Sequence, residues 1–273
     1  IKRLVGAVRD PDPRVDGEGF SKLRDAGIEV VEGILEREAT ELNRGFIARV
    51  TTNLPFVTLK MAMSIDSRTA TKTGDSKWIT GEKARYSSHF LRSKHDAILT
   101  GIGTVLADNP ILNTRISGLG NRSPTRIIMD TKLRLPVDSQ IVSTATEYKT
   151  IIFTTGAAEK SKKRHMERFG LQVLTLKGNK SGRVSLIETL EVLAAKGINN
   201  VLVEGGGILS TEFLRSDLID ELLVYRAPII LGGDGRAAVE GLGVSDLSGG
   251  VAFERTGIAS IGTDLMETYK RGK

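Results

Sequence analysis

The stretch NNVLVEGGGILSTEFL, residues 199–214, carries the strongest indication of fold in the chain. An apolar, β-branched run ends at Glu204, glycines occupy positions 205–207, and a helical pattern begins at Ile208. Glycines let the backbone approach a ligand closely, and the free amides and dipole of a helix N-terminus attract phosphate. The turn is not a Rossmann fingerprint, because serine occupies the sixth position, and it is not a P-loop, because no Gly-Lys-Ser/Thr follows. We predict a phosphate-binding turn, with a purely structural turn as the alternative.

Short apolar runs alternate with helical patterns over most of the chain. The runs 127–129 and 201–203 are continuously apolar, which is typical of parallel strands covered on both faces. This alternation favours an α/β fold with a mostly parallel central sheet and helices on both faces. Residues 252–269 have no helix between their strands and predict an antiparallel edge. The glycine cluster 232–235 is interpreted as a turn.

A domain boundary is predicted near residues 50–55. Residues 36–50 have the pattern of a single helix, Pro55 disfavours helix at Leu54, and a strong strand pattern follows. We therefore divide the chain into residues 1–52 and 55–273. The first part is small for an independent fold, so we expect a small α/β remnant of a larger domain.

Composition narrows the class of protein. The 273 residues contain no cysteine, which excludes disulfides, thiol nucleophiles and cysteine-ligated zinc within this chain. No apolar run approaches the roughly 20 residues of a membrane helix, so a soluble, cytoplasmic protein is expected. A net charge of +6 fits an anionic ligand. Nucleic-acid binding is disfavoured, because aromatic residues make up only 5% and the densest basic run, residues 160–164, has the pattern of an exposed helix.

The triple glycine late in an α/β chain resembles dihydrofolate reductase. Longer segments narrow this resemblance, and they are FVTLKMAMSIDSRTATKTGDSKWIT (56–80), LRSKHDAILTGIGTVLADNPILNTR (91–115), RIIMDTKLRLP (126–136) and DELLVYRAPIILG (220–232). In this order they resemble the reductase domain of the riboflavin-pathway pyrimidine deaminase–reductases. Residues 1–52 are similar to the tail of that family's deaminase domain.

The resemblance implies a reaction and a set of contacts. NADPH would reduce the ribosyl group of 5-amino-6-(5-phosphoribosylamino)uracil to a ribityl group, in a homo-oligomer acting on a small phosphorylated pyrimidine. Positions matching the family's NADP contacts are Ala62, Trp78, Thr104, Asp108, Thr131, Gly206, Gly207, Ile208, Leu209, Ser210, Thr211 and Glu212. Positions matching its substrate contacts are Ser76, Arg92, Leu112, Arg115 and Glu204.

Chemical arguments refine some of these positions. Guanidinium groups bind phosphate through paired hydrogen bonds, which suits Arg92 and Arg115. Thr131 is a candidate for reading the 2′-phosphate of NADPH. The hydroxyls of Ser210 and Thr211 are expected to add donors at the glycine turn, and Thr80 is interpreted as a helix cap.

Lys60, Asp66 and Glu204 are the candidates for the reacting end. In a regular strand, Lys60 and Asp66 share one face with residues 62 and 64, and either group could manage protons during opening of the sugar ring. A salt bridge of Lys60 with a carboxylate is the alternative. Ser67 departs from the family, in which glycine is usual after the aspartate.

Zinc is expected only in a deaminase part outside this chain, and no metal site within it. The His165-Met166-Glu167 sequence imitates one deaminase motif, but no cysteine completes it. Two other functions stay open: a dihydrofolate reductase-like enzyme with another substrate, and a non-catalytic nucleotide- or nucleic-acid-binding protein.

Overall fold

The computed structural model describes residues 1–15 and 17–272, and its contacts divide the chain into two compact units. The first unit comprises residues 1–56 and 190–200, and the second comprises residues 57–189 and 201–273. Asp16 and Lys273, which fall within the two predicted parts of the chain, lie outside the described residues. None of the helices in the described ranges has the length and apolarity needed to cross a membrane.

In the described part of residues 1–56, the first unit contains a parallel pair of strands and three helices. Its elements are β1 (Arg3–Gly6), α1 (Glu18–Asp25), β2 (Glu29–Glu32), α2 (Glu36–Leu42) and α3 (Arg44–Thr52). One continuous helix was predicted over residues 36–50, and this prediction is wrong, because Asn43 separates two helices. The Asn43 side-chain amide donates to the Ala39 carbonyl oxygen at 2.9 Å, and such local bonds compete with helix continuation.

The second unit is built on a nine-stranded sheet. The elements that follow in chain order are β3 (Phe56–Ser64), β4 (Arg68–Ala70), α4 (Glu82–Ser93), β5 (Ala97–Gly101), α5 (Ile102–Asp108), β6 (Thr125–Met129), α6 (Gln140–Ser143), β7 (Thr150–Thr154), α7 (Lys160–Arg168), β8 (Gln172–Thr175), α8 (Leu186–Ala195), β9 (Asn200–Glu204), α9 (Gly207–Arg215), β10 (Glu221–Ala227), β11 (Arg236–Ala237), β12 (Phe253–Ile261) and β13 (Asp264–Arg271). Residues 190–195 of α8 belong to the first unit. The strand order in the sheet is β12-β13-β10-β3-β9-β5-β6-β7-β8.

The sheet is mostly parallel with an antiparallel edge. Strand β10 pairs parallel with β3, and β9, β5, β6, β7 and β8 pair parallel in that order. Strands β12 and β13 pair antiparallel with each other, and β13 pairs antiparallel with β10. The predicted fold class is therefore confirmed.

Continuous burial of the central strands explains why their sequences lack alternation. All five residues of β7 are buried, and so are Ile127, Ile128 and residues 201–203. Since neighbouring residues of a strand point to opposite faces, both faces of these strands are covered. In contrast, the edge strand β12 has no buried residue.

Several local predictions are settled by the structure. The glycine cluster is a turn, in which the Gly235 amide donates to the Gly232 carbonyl oxygen at 3.1 Å. Helix α7 buries only Met166, as expected for an exposed basic helix. Thr80 is not a helix cap: Gly81 is the N-cap of α4, and its amide donates to Asp264 Oδ2 at 2.7 Å. The short helices α5 and α6 and the short strands β4 and β11 were not predicted.

Candidate active site

A cavity of about 1120 Å³ opens at the carboxyl ends of the parallel strands of the second unit. Its lining includes Gly101 at the end of β5, Thr131 just after β6, and Glu204 at the end of β9. The carboxyl edge of a parallel sheet is where ligands generally bind in open α/β folds. Strand β3 contributes Lys60 and Ala62 to the same cavity.

Most of the predicted site residues line this one cavity. They are Lys60, Ala62, Ser76, Trp78, Arg92, Thr104, Asp108, Leu112, Arg115, Thr131, Glu204, Gly206, Ile208, Leu209 and Glu212. Four predicted residues are absent from the lining: Asp66, Gly207, Ser210 and Thr211. The unpredicted helix α5 carries Thr104 and Asp108 to the cavity.

Arg92 and Glu204 form a well-aligned ion pair in the cavity. Arg92 Nε and Nη2 donate to Glu204 Oε1 and Oε2, each at 2.9 Å, and only 14% and 15% of the two side chains is exposed. This paired geometry is the strong form of a guanidinium–carboxylate bond. Arg92 Nη1 also donates to the Asn113 carbonyl oxygen at 3.1 Å, so Arg92 connects Glu204 to the loop that follows α5.

Lys60 shares this electrostatic environment. Its Nζ lies 5.4 Å from the centroid of the Tyr225 ring. Burial lowers the pKa of Lys60, the negative charge of Glu204 opposes this shift, and Arg92 adds to it. Burial alone would raise the pKa of Glu204, but Arg92 and then Lys60 lower it to about 2. At neutral pH the cavity therefore holds an ionised carboxylate paired with Arg92, near a lysine that loses its proton more readily than an ordinary lysine.

Asp66 lies in the turn after β3 and anchors a distant loop. Its carboxylate accepts bonds from the Ser64 hydroxyl at 2.6 Å and from the amides of Leu231 and Gly232 at 3.1 and 2.7 Å. These bonds, led by the one from Ser64, lower the pKa of Asp66 to about 2. Strand β3 ends at Ser64, so the regular strand face assumed for Lys60 and Asp66 does not extend to the aspartate.

The glycine turn joins β9 to α9, and Gly206 is the N-cap of the helix. Gly206 has φ −80° and an ideal Cβ there would meet no atom within 4 Å, so its missing side chain leaves space on the cavity side. At Gly207 an ideal Cβ would lie 2.5 Å from the Ala237 carbonyl oxygen. Gly206 is thus suited to close approach by a ligand, whereas Gly207 is required by packing.

The two hydroxyls that follow the turn point away from the cavity. Thr211 Oγ1 donates to the Gly207 carbonyl oxygen at 2.6 Å and accepts from the Glu240 amide at 2.7 Å. Ser210 is 1% exposed. Neither residue reaches the cavity, in contrast to the expectation that their hydroxyls donate to a ligand.

A buried arginine holds the loop that carries Leu112 and Arg115. Arg126 is fully buried, and its guanidinium donates to the Ile111 carbonyl oxygen at 3.0 Å and to Thr150 Oγ1 at 2.8 Å. It also donates to oxygens of Ile141, Thr144 and Tyr148. Burial lowers the pKa of Arg126 to about 10. Because Arg126 lies on β6, its bond to the Ile111 carbonyl oxygen holds the loop against this strand.

Trp78 is 66% exposed and lines the cavity rather than the core. The Arg85 guanidinium lies 4.7 Å from the centroid of its ring and also donates to the Thr80 carbonyl oxygen at 2.8 Å. Such stacking of a guanidinium on an indole is favourable. The ring is therefore held at the cavity edge by a side chain of α4.

The part of the cavity lining next to Thr131 is basic. Thr131 Oγ1 accepts from the Val184 amide at 3.3 Å, which holds the loop before α8 beside the end of β6. Lys132, Arg134 and Arg183 line the cavity from these two segments. Arg183 Nη1 lies 3.9 Å from Glu212 Oε1, a carboxylate that Arg215 binds more closely at 2.6 Å. This end of the cavity carries more positive than negative charge.

His89 lines the cavity and was missed in the sequence. It lies on α4 together with Arg85, Ser88 and Arg92, at the spacing that places residues on one face of a helix. Its position three residues before Arg92 is the signal that could have identified it.

The comparisons with known proteins agree with this geometry. A family model described as the RibD C-terminal domain matches residues 55–266. The chain belongs to this family. The riboflavin biosynthesis protein RibD of Bacillus amyloliquefaciens is 41% identical over 269 residues, which cover 98% of this chain and 71% of that protein. The resemblance found in the sequence is therefore confirmed.

Solved structures extend the likeness to the RibD fold over the full length of the chain. Acinetobacter baumannii RibD is similar with a TM-score of 0.89 and 32% identity, over 100% of this chain and 73% of that one. A Thermotoga maritima protein named as a diaminohydroxyphosphoribosylaminopyrimidine deaminase/5-amino-6-(5-phosphoribosylamino)uracil reductase has a TM-score of 0.83 and 33% identity, over 100% and 72%.

Proposed function

We propose that the protein is the NADPH-dependent reductase of riboflavin biosynthesis, converting the ribosyl group of 5-amino-6-(5-phosphoribosylamino)uracil to a ribityl group. The observation that carries this proposal is the meeting of Lys60, Arg92 and Glu204 in the same cavity as the glycine turn. Membership of the RibD C-terminal domain family supports it. A charged site able to manage protons and a turn suited to a pyrophosphate are both needed for this reaction.

The cavity fits a dinucleotide cofactor. Its volume of about 1120 Å³ slightly exceeds the roughly 300–1,000 Å³ typical of small-molecule sites. Gly206 leaves open space at the N-terminus of α9, where amides and the helix dipole favour pyrophosphate. Ala62, Trp78 and Thr104 would line the rest of the cofactor's path. When bound, NADPH supplies the hydride that reduces the sugar carbon.

The basic end of the cavity supports a preference for NADPH over NADH. Lys132, Arg134 and Arg183 lie beside Thr131, the residue proposed from the sequence for the 2′-phosphate. A phosphate monoester is bound well by guanidinium and ammonium groups. We assign the 2′-phosphate to this cluster, with Thr131 holding its two segments together through the Val184 amide.

Lys60 and Glu204 are assigned to the reacting end. Opening of the ribosyl ring breaks the bond between C1′ and the ring oxygen, and this oxygen must take up a proton. The Lys60 ammonium donates that proton, and the negative charge of Glu204 favours the ammonium form against the opposite effect of burial. The nitrogen lone pair then forms the C=N bond to C1′, which is the bond that bound NADPH would reduce. Asp66 is assigned to the anchoring of the 231–232 loop rather than to chemistry.

Residues 1–52 lie outside the range matched by the family model. Similarity to the RibD protein of B. amyloliquefaciens covers 98% of the chain, and so includes most of residues 1–52. We propose that these residues are the C-terminal portion of a deaminase domain whose zinc ligands lie elsewhere. Among the described residues no group of three or more His, Asp or Glu side chains could hold a metal ion. Homo-oligomeric assembly and a cytoplasmic location are proposed from the family resemblance alone.

The deciding experiment is a steady-state assay of NADPH oxidation with 5-amino-6-(5-phosphoribosylamino)uracil, with the ribityl product identified by mass spectrometry. We expect turnover with NADPH and a much lower catalytic efficiency with NADH. Arg183→Ala should narrow this preference, whereas Arg164→Ala on the exposed helix α7 should leave it unchanged. Reduction of dihydrofolate instead of the phosphoribosylaminouracil would favour the dihydrofolate reductase-like alternative. Nucleotide binding without any turnover would refute the enzymatic proposal.

A further inference from the structure

His89 makes contacts in the cavity that define its protonation state. Its Nδ1 lies 3.2 Å from the Asn113 carbonyl oxygen, and Arg115 Nε donates to its Nε2 at 3.2 Å. An arginine Nε can only donate, so Nε2 must be the unprotonated, accepting nitrogen. The ring proton therefore lies on Nδ1 and is donated to Asn113. The Arg115 amide hydrogen bond to Nδ1 at 3.3 Å belongs to the other tautomer, whereas a proton on Nδ1 satisfies both the Asn113 carbonyl oxygen and the Arg115 side chain.

The surroundings keep this imidazole neutral. Burial, followed by the charges of Arg92 and Arg115, lowers the pKa of His89 to about 4. A hydrogen bond to Asn113 and the charge of Glu204 oppose the shift but do not overcome it. At the pH of a cell, His89 is thus a neutral acceptor in contact with a guanidinium.

The two cavity arginines differ in how their charges are balanced. Arg92 is paired with the carboxylate of Glu204 through two bonds of 2.9 Å. Arg115 has no carboxylate partner in the described part of the chain, and its guanidinium contacts the protein through His89. Because a neutral imidazole leaves the charge of Arg115 uncompensated, this exposed arginine retains full attraction for an anion. A carboxylate at position 89 would cancel that charge and repel a phosphate.

We propose that His89 is a positioning residue, which holds Arg115 so that its terminal nitrogens bind the phosphate of the substrate. The imidazole fixes Nε of the guanidinium and leaves both Nη groups for two parallel bonds to phosphate oxygens. Arg92 is committed to Glu204 and serves the reacting end of the cavity. The inference rests on the proposed function, because it assigns the anionic end of that substrate.

The test compares two substitutions that preserve different nitrogens of the ring. Glutamine at position 89 places an amide oxygen near the site of Nε2, so His89→Gln keeps the acceptor for Arg115. Asparagine places its amide near the site of Nδ1, so His89→Asn keeps the bond to the Asn113 carbonyl oxygen and loses the acceptor for the Arg115 side chain. His165→Asn, the same change on the exposed helix α7, is the control.

We expect His89→Asn to raise the substrate KM by about 10-fold or more, as for one lost bond to a charged group. Its kcat should stay within about twofold of the wild-type value, because the phosphate contact is made equally before and during the reaction. Its NADPH dissociation constant should also stay within about twofold, because this contact belongs to the substrate. His89→Gln should restore KM to within about threefold. The inhibition constant of ribose 5-phosphate should rise in parallel with KM, while ribose should be a weak inhibitor of every variant.

Equal losses in the glutamine and asparagine variants would overturn the proposal, as would an unchanged KM in His89→Asn. If His89→Asn does not fold, Arg115→Met replaces it: this change of an exposed side chain must abolish the advantage of ribose 5-phosphate over ribose, and retention of that advantage refutes the assignment. These outcomes differ from failure of the proposed function, in which the wild-type protein itself does not reduce the phosphoribosylaminouracil.

Discussion

Replacing Glu204 by glutamine removes the carboxylate that faces both Lys60 and Arg92 while keeping the shape of the side chain. Removal of one partner of a buried ion pair costs about 3–5 kcal/mol. Glutamine retains one oxygen that can accept from Arg92, so we expect the lower end, about 3 kcal/mol, or a Tm lower by roughly 6–12 °C for a chain of this size. Thermal unfolding followed by circular dichroism measures this loss.

The same change should alter catalysis through Lys60. The negative charge of Glu204 opposes the effect of burial on the pKa of Lys60, so its removal lowers that pKa further. If the Lys60 ammonium is the proton donor, the alkaline limb of the kcat profile must move to lower pH, and kcat at neutral pH should fall by about 100-fold or more. The assay is NADPH oxidation at saturating substrate across the pH range of the stable enzyme.

Two controls separate these effects from a general loss of stability. Glu29→Gln removes a carboxylate from an exposed pair with Arg3, whose side chains are 62% and 59% exposed, and such pairs contribute about 0–1 kcal/mol.

The folded-state pKa of Glu204 is lowered from 4.5 to about 2, so its stabilising effect is complete above pH 4.5 and is lost as the pH falls through about 2. The difference in stability between wild type and Glu204→Gln should therefore shrink over that interval. A Glu204→Gln protein with wild-type Tm and an unmoved alkaline limb would refute the reasoning.

Three further outcomes are expected. Gly206→Val should weaken NADPH binding, measured by fluorescence titration, with little change in Tm, whereas Gly207→Val should lower the Tm because its side chain would collide with the Ala237 carbonyl oxygen; the reverse pattern would contradict the roles given to the two glycines. Arg126→Met leaves several buried carbonyl oxygens without a donor, at about 1–3 kcal/mol each, and should shift the urea midpoint downward well beyond the effect of an exposed Arg164→Met. Because burial lowers the pKa of Lys60, the wild-type alkaline limb should lie below pH 10.5, and Lys60→Arg should remove it; a limb that survives belongs to another group.

The parts of the fold that the sequence predicts are those decided by local burial. The run 201–203 is apolar without alternation because both faces of β9 are covered, and the glycines after it mark the change from strand to helix. Strands β4 and β11 were missed because they are two or three residues long and pair across a wide separation in sequence. Ser67 has φ 61°, a left-handed conformation that glycine adopts without strain, which agrees with the glycine expected at this position from the resemblance.

In the site, the sequence identified most of the residues that line the cavity but not what each of them contacts. The strand pattern and proton chemistry made Asp66 a candidate for the reacting end, but its partners include the amides of residues 231 and 232, which no spacing within the strand reveals. Arg92 and Glu204 are separated by 112 residues in sequence and meet only when β9 lies in the same sheet as β3 and β5. Ser210 and Thr211 looked like donors beside a phosphate, yet their position on α9 turns them into the protein interior.

Charge balance decides what the matching positions do. Arg92 and Arg115 both match substrate contacts and would be given the same role from sequence. In the structure the carboxylate of Glu204 neutralises Arg92, whereas the neutral imidazole of His89 contacts Arg115. The two arginines therefore attract an anion to different degrees. Histidine can accept from arginine without cancelling its charge, provided that the ring stays neutral, and burial followed by the charges of Arg92 and Arg115 keeps His89 neutral. Arg92 and Arg115 thus help to keep His89 neutral, and a neutral His89 leaves the charge of Arg115 available to phosphate.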